Sequence, residues 1–353
     1  MRCLIFGSLP SGKGGMERII NTLLRCRERN ALFSALFFEF HGLQEVNDDW
    51  ISGRFKVECP PRRLPRIIQE MLIVLALARE LDKEEFDAIL CLDERACKMA
   101  LRMRHFLRRN IVVGSWLHRS IHTFKKTTYL TGLDFHIAIS EGIKDQLQKI
   151  SDAPVFLLQN CVDVERVVLE KKRKSPVYLY IGRVELQGQK KLVDLFDAFS
   201  LLPEEAQLHI VGSGPDEVVC KEYCSKLNLD KRVFFHGWQG NPWKYISDEI
   251  GMVDALCLTS MYEGFPLVLI EGIYQGVFCI SSNCETGPAD IINDSNGILY
   301  PVGDVQALKF AMEKAVVRRF EPEKIVESGS AYSKERYYSE LVDIFNKVLC
   351  HAK

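Results

Sequence analysis

The stretch Ser260-Met-Tyr-Glu-Gly-Phe-Pro-Leu-Val-Leu-Ile-Glu-Gly272 joins the end of a strand to the start of a helix. The residues just before it, 254–259, form a short apolar run that is typical of a buried strand. Pro266 fits the first position of the following helix, where a missing N–H removes no hydrogen bond. The helix start would then offer free donors suited to oxyanions or sugar hydroxyls, namely the amides of Gly264, Phe265, Leu267 and Val268.

The same stretch carries two carboxylates. Glu263 lies in the loop and Glu271 follows on the helix, about a turn and a half after Pro266 at roughly 3.6 residues per turn. Both carboxylates can therefore border one pocket from different sides. On these residues alone, a strand–helix junction with two surface glutamates explains the pattern equally well.

Short apolar strands and amphipathic helices alternate along the rest of the chain. The first part has predicted strands at 3–6, 31–38, 55–59, 87–92, 111–116, 135–139 and 154–158, with helices from about residue 15 and at 64–81, 94–109 and 141–150. The second part has predicted strands at 177–181, 207–211, 233–236, 254–259, 278–281 and 297–300, with helices at 191–202, 216–227 and from residue 304. Such alternation predicts an α/β fold with two Rossmann-like, doubly wound parallel sheets.

The boundary between the two parts is a charged segment at 164–176 that ends in proline, and we predict that it is a linker. The sequence therefore predicts an N-terminal domain at 1–163 and a C-terminal domain at 177–329. A last helix at about 330–353 is expected to pack back onto the N-terminal domain.

The composition is that of an ordinary globular protein, with 353 residues of which 47% are hydrophobic and 26% are charged. The longest apolar run, 71–78, is too short to cross a bilayer, and the N-terminus enters a strand without the pattern of a signal peptide. These features predict a cytoplasmic location. The 12 cysteines are scattered through strands and helices, which favours reduced, partly buried thiols over metal ligands or disulfides.

The net charge of -1 hides an asymmetry, because residues 1–150 hold 24 Lys and Arg against 18 Asp and Glu, whereas the remainder is acidic. Segment 95–126 contains nine basic residues and no acidic one, including Arg102, Arg108 and Arg109. Such a segment suits contact with an anionic membrane surface or a phosphorylated acceptor. A solvated basic helix face is an equal alternative.

A glycine-rich loop follows the first strand and is the first candidate for a phosphate site. Residues 7–14 nearly match a P-loop, but Gly14 stands where magnesium binding needs Ser or Thr, which argues against a nucleotide triphosphatase. The loop still lets backbone approach a pyrophosphate at a helix start near Gly15. The dinucleotide pattern G-x-G-x-x-G is absent, so a pyridine-nucleotide dehydrogenase fits poorly.

The second domain begins with further candidates. Arg183 and Lys190 follow its first strand and can clamp a diphosphate, Arg as a bidentate donor and Lys as a point charge. The segment 235–239 leaves a later strand and can form a base-binding pocket near Gln239. A core position for Trp238 is an equal alternative.

Two residues of the first domain are candidates at strand ends. His118 follows the strand predicted at 111–116, and Asp93 follows the strand predicted at 87–92. Asp93 equally fits the N-cap of the next helix. His122 lies four residues after His118, but no carboxylate pattern accompanies the pair, so no metal site is expected.

Taken together, these motifs resemble the retaining, GT-B-fold glycosyltransferases of family 4 over nearly the whole chain. The motifs that carry the resemblance are GSLPSGKGGMERI (7–19), YIGRVELQGQKK (180–191), SMYEGFPLVLIEG (260–272), SSNCETGP (281–288) and NGILYPVGD (296–304). The resemblance implies two domains that face a central cleft, with the acceptor bound by the first and the nucleotide sugar by the second. It also implies transfer of a hexose, preferably galactose, from a UDP-sugar to the lipopolysaccharide core on the cytoplasmic face of the inner membrane, without cofactor, metal or nucleic acid.

The resemblance further implies a role for each matched residue. Gly15 would meet the donor diphosphate through its backbone, and Arg183 and Lys190 would bind it with their side chains. Glu271 would hold the ribose, while the transferred sugar would meet Glu263 and the segment Gly264, Phe265, Pro266 and Leu267. His118 would touch the donor hexose, and Asp93 is a candidate for the acceptor side. Most family members place the lysine about two residues closer to the arginine, so Lys190 rather than Lys191 is inferred across a small insertion.

Three other functions are compatible with parts of the pattern. A glucosyltransferase that uses UDP-glucose on a related glycan would need the same motifs. A sugar-nucleotide epimerase can use the same two-domain architecture, and acceptor-dependent release of UDP would argue against it. A non-catalytic binder or polymer scaffold would show neither transfer nor hydrolysis of the donor.

Overall fold

A computed structural model describes residues 1–10, 14–25, 32–40, 51–108, 110–124, 126–169, 175–317 and 321–351. The chain divides into two compact units, Met1–Asn160 with Lys334–Lys353, and Cys161–Ser333. Within the described ranges no helix combines the length and the apolar character that a membrane span requires. The cysteines in these ranges are free, and all of them except Cys59 and Cys350 are buried.

The first unit is built on a parallel sheet. Its elements are β1 (Arg2–Ser8), α1 (Gly15–Arg25), β2 (Leu32–Phe38), β3 (Phe55–Glu58), α2 (Arg66–Lys83), β4 (Ala88–Cys91), α3 (Glu94–Phe106), β5 (Val112–Leu117), β6 (Phe135–Ala138), α4 (Glu141–Gln148) and β7 (Val155–Leu157). Among the described residues the sheet has seven strands in the order β3-β2-β1-β4-β5-β6-β7. All these pairings are parallel, and the strand order reverses between β1 and β4.

The second unit repeats this plan. Its elements are β8 (Val177–Ile181), α5 (Leu192–Ser200), β9 (Gln207–Val211), α6 (Glu217–Lys226), β10 (Val233–Phe235), α7 (Pro242–Tyr245), β11 (Ala255–Leu258), α8 (Leu267–Tyr274), β12 (Cys279–Ser282), α9 (Pro288–Ile291), β13 (Gly297–Tyr300), α10 (Val305–Val317) and α11 (Pro322–Ser328). Its described strands pair in parallel in the order β10-β9-β8-β11-β12-β13. The prediction of two doubly wound parallel sheets is confirmed.

The last helix, α12 (Lys334–His351), returns to the first unit. Its Phe345 side chain is fully buried, with its ring 6.4 Å from that of Phe33 and 5.9 Å from that of Phe135. The Tyr338 hydroxyl donates to the carbonyl of Thr22 at 3.0 Å. Burial of the aromatic ring and this hydrogen bond fix the helix on the sheet of the first unit.

The described part of the segment predicted to be a linker is bonded to the second unit. The amide of Val167 donates to Gln275 Oε1 at 2.8 Å, and Gln275 Nε2 donates to the carbonyl of Glu165 at 2.8 Å. Arg166 pairs with Glu323 at 2.9 Å. Residues 170–174 of this segment lie outside the described ranges.

Two predicted helix boundaries were wrong for local reasons. Pro266 is not the first residue of α8, because its ψ of 97° is extended and places it one residue before the helix. The helix predicted at 94–109 ends at Phe106, since Leu107 leaves helical geometry and Arg108 adopts a φ of 49°. Three short helices were missed, although each has proline at its start: Pro242, Pro288 and Pro322.

The core of the first unit contains a buried histidine on β6. His136 is fully buried, with Nδ1 2.7 Å from Ser115 Oγ and Nε2 2.9 Å from Ser151 Oγ. Burial lowers the pKa of His136 to about 4 from an ordinary value of 6.5. The imidazole is therefore neutral in the folded protein at physiological pH, and its two ring nitrogens connect strand β6 to β5 and to the end of α4.

We expect His136 to make the protein less stable in mild acid. The unfolded chain binds a proton at His136 below pH 6.5 and the folded chain does so only near pH 4, so stability is complete above pH 6.5 and falls as the pH decreases. Between pH 7 and pH 5 the loss attributable to this residue is about 2 kcal/mol. Urea unfolding of the wild type and of His136→Gln at the two pH values measures it, and the variant should lose less stability on acidification.

The matched control is His105→Gln, because His105 is exposed in the last turn of α3. This substitution should leave the pH dependence of unfolding as it is in the wild type. An equally steep loss of stability in His136→Gln and the wild type would show that His136 is not responsible.

Candidate active site

The loops at the carboxyl edge of the second sheet are bonded to one another. Val184 N donates to the carbonyl of Ser213 at 3.1 Å, and Gly212 N donates to that of Gly237 at 2.8 Å. A Cβ atom on Gly212 would lie 1.9 Å from the carbonyl oxygen of Gly182, and one on Gly214 would lie 2.1 Å from that of Val184. Glycine at 212 and 214 thus lets the loop after β9 support the loop after β8, which carries Arg183.

The loop after β8 folds around the carboxylate of Glu185. Arg183 Nε lies 2.9 Å from Glu185 Oε1, and the amide of Lys190 donates to Glu185 Oε2 at 3.3 Å. Arg183 Nη2 also donates to Gln189 Oε1 at 2.8 Å, and Gln189 Nε2 donates to the carbonyl of Tyr262 at 2.9 Å. This chain of contacts presents a guanidinium whose side chain is 53% exposed, so it is accessible to a ligand.

The structure brings Lys190 and Glu263 together from loops that follow different strands. Lys190 Nζ lies 2.6 Å from Glu263 Oε1, and the two side chains are only 17% and 9% exposed. Ser260 Oγ donates to the same carboxylate oxygen at 2.6 Å. Both contacts are made to Oε1 of Glu263. The other carboxylate oxygen, Oε2, can therefore accept a hydrogen bond from a ligand hydroxyl.

The neighbouring Lys191 points elsewhere. It has a left-handed φ of 45°, and its Nζ lies 3.2 Å from Asp194 Oδ2 in the first turn of α5. The left-handed turn separates the directions of the two lysine side chains. Lys190, across the small insertion predicted from the sequence, is therefore the lysine beside Glu263.

The start of α8 is a group of backbone donors. Within the ranges that the structure describes, no hydrogen-bond acceptor is found for the amides of Gly264, Phe265, Leu267 and Val268. The carbonyl of Glu263 accepts from Thr286 Oγ1, which fixes the preceding loop. Unpaired amides at a helix start can bind an oxyanion or a hydroxyl, as the sequence predicted.

Glu271 is held by a residue that sequence analysis did not select. It is buried on α8, and Trp243 Nε1 of α7 donates to its Oε2 at 3.1 Å. The Asn241-Pro242 pair before the tryptophan is a helix-start signal that would have placed Trp243 on a helix. The carboxylate of Glu271 is therefore buried and held in one orientation, unlike that of a surface glutamate.

The hydroxyl and thiol groups near Glu263 are kept neutral. Burial, with Glu263 and Glu185 nearby, raises the pKa of Tyr180, whose hydroxyl donates to the carbonyl of Arg183 at 2.7 Å. Burial and Glu263 raise the pKa of Cys284 to about 12. Neither group is ionised at physiological pH, so neither supplies a ready anionic nucleophile.

The loop after β10 contains Gln239 and Trp238. Gln239 Nε2 donates to the carbonyl of His236 at 2.8 Å, which fixes its amide beside the strand end. Trp238 is 59% exposed, so the alternative of a packed core tryptophan was wrong. His236 itself lies 2.8 Å from His209 and 2.9 Å from the Tyr245 hydroxyl, a contact chain that no sequence motif indicated.

Two candidates of the first unit lie where its strand order reverses. Gly15 is the first residue of α1, after β1, and Asp93 follows β4. Asp93 Oδ1 accepts from the amides of Arg95 and Ala96, and Oδ2 accepts from that of Ser8 at 2.8 Å. The N-cap interpretation of Asp93 is thus confirmed, and both of its oxygens are engaged by backbone. Gly12 and Lys13 of the glycine loop lie outside the described residues.

His118 follows β5 and stands against Trp116, with ring centroids 4.3 Å apart. Burial lowers the pKa of His118 to about 3, so the ring is neutral at physiological pH. Among the described residues, no hydrogen-bond partner is found for the buried atoms His118 Nε2 and Trp116 Nε1. A neutral imidazole has one N–H donor and one acceptor nitrogen, so it can hydrogen-bond to a hydroxyl without adding charge.

Comparison with known proteins agrees with this geometry. The family model of glycosyl transferases group 1 matches residues 162–331. The lipopolysaccharide 1,6-galactosyltransferase of Escherichia coli K12 is 31% identical over 361 residues, covering 100% of both chains. The enzyme with the same name from Salmonella typhimurium LT2 is 32% identical over 311 residues, covering 86% of this chain and 87% of the relative.

Solved structures give the same result. The apo form of the lipopolysaccharide outer core galactosyltransferase WaaB superimposes with a TM-score of 0.85 at 29% identity, covering 98% of this chain and 100% of that one. Anabaena HepE in complex with UDP shares the fold, with a TM-score of 0.74 at 19% identity and 99% of each chain covered. The chain therefore belongs to the group 1 glycosyl transferases and has the GT-B fold.

Proposed function

We propose that this protein transfers galactose, with retention of configuration, from UDP-galactose to the core oligosaccharide of lipopolysaccharide. One arrangement carries the proposal: Arg183 and Lys190 stand with Glu263 beside the open amides of α8, in a chain whose full-length relatives are lipopolysaccharide 1,6-galactosyltransferases. Cations that can bind a diphosphate and a carboxylate oxygen that can accept a sugar hydroxyl are the groups that a nucleotide-sugar donor requires.

In the proposed reaction the bond between the anomeric carbon and the phosphate oxygen breaks, and the acceptor hydroxyl oxygen bonds to that carbon on the same face. The hydroxyl proton passes to the departing phosphate oxygen, so no covalent enzyme intermediate forms. Arg183 and Lys190 stabilise the developing negative charge, with the amide of Gly15 on the same diphosphate. These cations and the helix start perform the task of a divalent metal, and none is required.

We assign each of the other candidate residues to one part of the donor or acceptor. Glu263 and the amides from Gly264 to Leu267 bind the transferred hexose, and Glu271 binds the ribose. Gln239 contributes to the base pocket. In the first unit, His118 contacts the hexose and the segment around Asp93 borders the acceptor.

We also propose that the protein acts on the cytoplasmic face of the inner membrane, because the acceptor of the relatives is a lipopolysaccharide. The basic segment 95–126 was one candidate for contact with that surface, with a solvated helix face as an equal alternative. Three of its nine basic residues contact carboxylates, since Lys98 and Arg102 both contact Glu70, and Arg104 contacts Asp134. Residues 109 and 125 of the segment lie outside the described ranges.

The proposed activity is tested by incubating the protein separately with UDP-galactose and UDP-glucose and with truncated lipopolysaccharide cores. Product mass and NMR of the anomeric centre identify the sugar and its configuration. Galactose transfer with retention is expected, and UDP should appear only when an acceptor is present. Preferential use of UDP-glucose would make the enzyme a glucosyltransferase, and conversion of the UDP-sugar to its epimer without net release of UDP would favour an epimerase.

Arg183→Ala and Lys190→Gln should each reduce kcat by a factor on the order of 100 or more, because each removes a charge that stabilises the departing diphosphate. Single-turnover kinetics under saturating donor measures the loss. The matched control is Lys191→Gln, which removes the adjacent lysine that contacts Asp194 and should change the rate only a few fold. Near-normal turnover in Lys190→Gln, or equal losses at positions 190 and 191, would remove Lys190 from the mechanism.

Trp243→Phe should raise KM for the donor with little effect on kcat. The substitution removes the indole N–H that orients Glu271. Loss of one hydrogen bond to a charged group costs about 1.5–3 kcal/mol, so the nucleotide-sugar donor should bind roughly 10-fold to 100-fold more weakly. Initial rates over a range of donor concentrations separate the two constants, and thermal melting reports the integrity of the fold. A fall in kcat at unchanged KM would contradict a role of Glu271 in ribose binding.

A further inference from the structure

Three buried polar atoms at the carboxyl edge of the first sheet have no hydrogen-bond partner in the part of the chain that the structure describes. They are Glu94 Oε2, Trp116 Nε1 and His118 Nε2. A buried polar atom that is left without a hydrogen bond costs about 1–3 kcal/mol, and a buried indole N–H usually has an acceptor. Three such atoms in one part of the molecule indicate a site whose hydrogen bonds are completed by a ligand.

The strands that carry these residues are neighbours in the sheet. Strand β4 pairs in parallel with β5, with Cys91 opposite Ser115. Glu94 and His118 each follow three residues beyond that pair. Trp116 is buried at the end of β5 and packs against His118, with ring centroids 4.3 Å apart. The polar atoms therefore belong to adjacent strand ends, at the edge where parallel α/β sheets bind their ligands.

Glu94 differs from an ordinary glutamate in the first turn of a helix. The helix dipole favours an acidic side chain there even when the side chain stays in water. Glu141 of α4 is such a residue, since its side chain is 52% exposed and pairs with Lys144. Glu94 has the same position on α3, but its Oε2 is buried without a partner. The dipole does not explain this burial, which costs free energy.

The chemistry of the three atoms matches a saccharide. An ionised carboxylate only accepts hydrogen bonds, an indole N–H only donates them, and a neutral imidazole has one nitrogen of each kind. A sugar hydroxyl both donates and accepts, so neighbouring hydroxyls can satisfy the whole set. The negative charge of Glu94 would repel a diphosphate, which favours an uncharged part of a substrate as its ligand.

We infer that Glu94 and Trp116 bind hydroxyl groups of the acceptor saccharide, with Glu94 Oε2 accepting one hydrogen bond and Trp116 Nε1 donating another. The inference rests on the proposed function, because it names residues of the acceptor site in the first unit. Glu94 is the acceptor-side carboxylate in place of Asp93, since backbone amides occupy both oxygens of Asp93. His118 keeps its assignment to the transferred hexose, so the two sugars would meet beside the aromatic pair that it forms with Trp116.

The variants Glu94→Ala and Glu94→Gln of the full-length protein test this inference. Titration calorimetry in the presence of UDP measures binding of a delipidated lipopolysaccharide core saccharide, and initial rates give its KM. Glu94→Ala should weaken saccharide binding and raise this KM about 10-fold to 100-fold, because a hydrogen bond to a charged group is lost. Glu94→Gln should lose less, since its amide oxygen still accepts a hydrogen bond. The affinity for UDP and the KM for UDP-galactose should stay as in the wild type.

Two further measurements separate binding from a structural role. Glu94→Gln should melt at or above the temperature of the wild type, because it removes a charge whose buried oxygen has no partner. A purely structural glutamate would instead lower the melting temperature at unchanged saccharide affinity. Trp116→Phe keeps an aromatic ring but removes the indole N–H, and it should raise the KM for the saccharide by a factor on the order of 10.

Glu141→Ala is the matched control, because it removes the glutamate at the same position of α4 and should leave the KM for the saccharide unchanged. Wild-type saccharide affinity in both Glu94 variants would overturn the inference and leave the proposed function standing. A higher KM for UDP-galactose alone would also overturn it, because Glu94 would then contact the donor hexose. Weaker saccharide binding by Glu94→Ala, with no galactose transfer by the wild type, would support the inference and contradict the proposed function.

Discussion

The contact between Lys190 and Glu263 determines how the carboxyl edge of the second sheet is built. Two opposite charges that are less than one-fifth exposed must remain paired, because an unpaired buried charge is strongly destabilising. Their loops follow β8 and β11, the adjacent strands at which the strand order reverses, and two hydrogen bonds to backbone carbonyls hold these loops together. Met261 N donates to the carbonyl of Gln189 at 2.8 Å, and Thr259 Oγ1 donates to that of Lys190 at 2.7 Å. The crevice that a doubly wound sheet opens at its switch point therefore carries fixed charges.

The first unit uses its own switch point differently. Asp93, after β4, accepts three backbone amides and so connects the end of β1 to the start of α3. Because backbone amides occupy both of its oxygens, this carboxylate fixes the loop and supplies a negative charge, but it has no oxygen that is free of hydrogen bonds. Its neighbourhood can border a saccharide, but a ligand hydroxyl that donated to Asp93 would share the accepting oxygen with a backbone amide.

Much of the fold and part of the site were predictable from the sequence because they depend on local patterns. Strands such as 177–181, 207–211 and 297–300 follow from short apolar runs, and the glycine and proline positions mark the loops that hold the candidate site residues. The partners of the site residues were not predictable, because they join distant segments: Trp243 meets Glu271 across 28 residues, and Lys190 meets Glu263 across 73. For the same reason the sequence did not separate an exposed Trp238 from a buried Trp243, since burial depends on what the rest of the chain places around each ring.

The candidate site residues of the two units differ in charge. The second unit supplies the full positive charges of Arg183 and Lys190, which are suited to a diphosphate. The first supplies His118, whose lowered pKa of about 3 keeps it uncharged and whose buried Nε2 has no hydrogen-bond partner among the described residues. A neutral imidazole has one N–H donor and one acceptor nitrogen and carries no positive charge, unlike Arg183 and Lys190. Burial of His118 against Trp116 therefore keeps the imidazole uncharged at physiological pH.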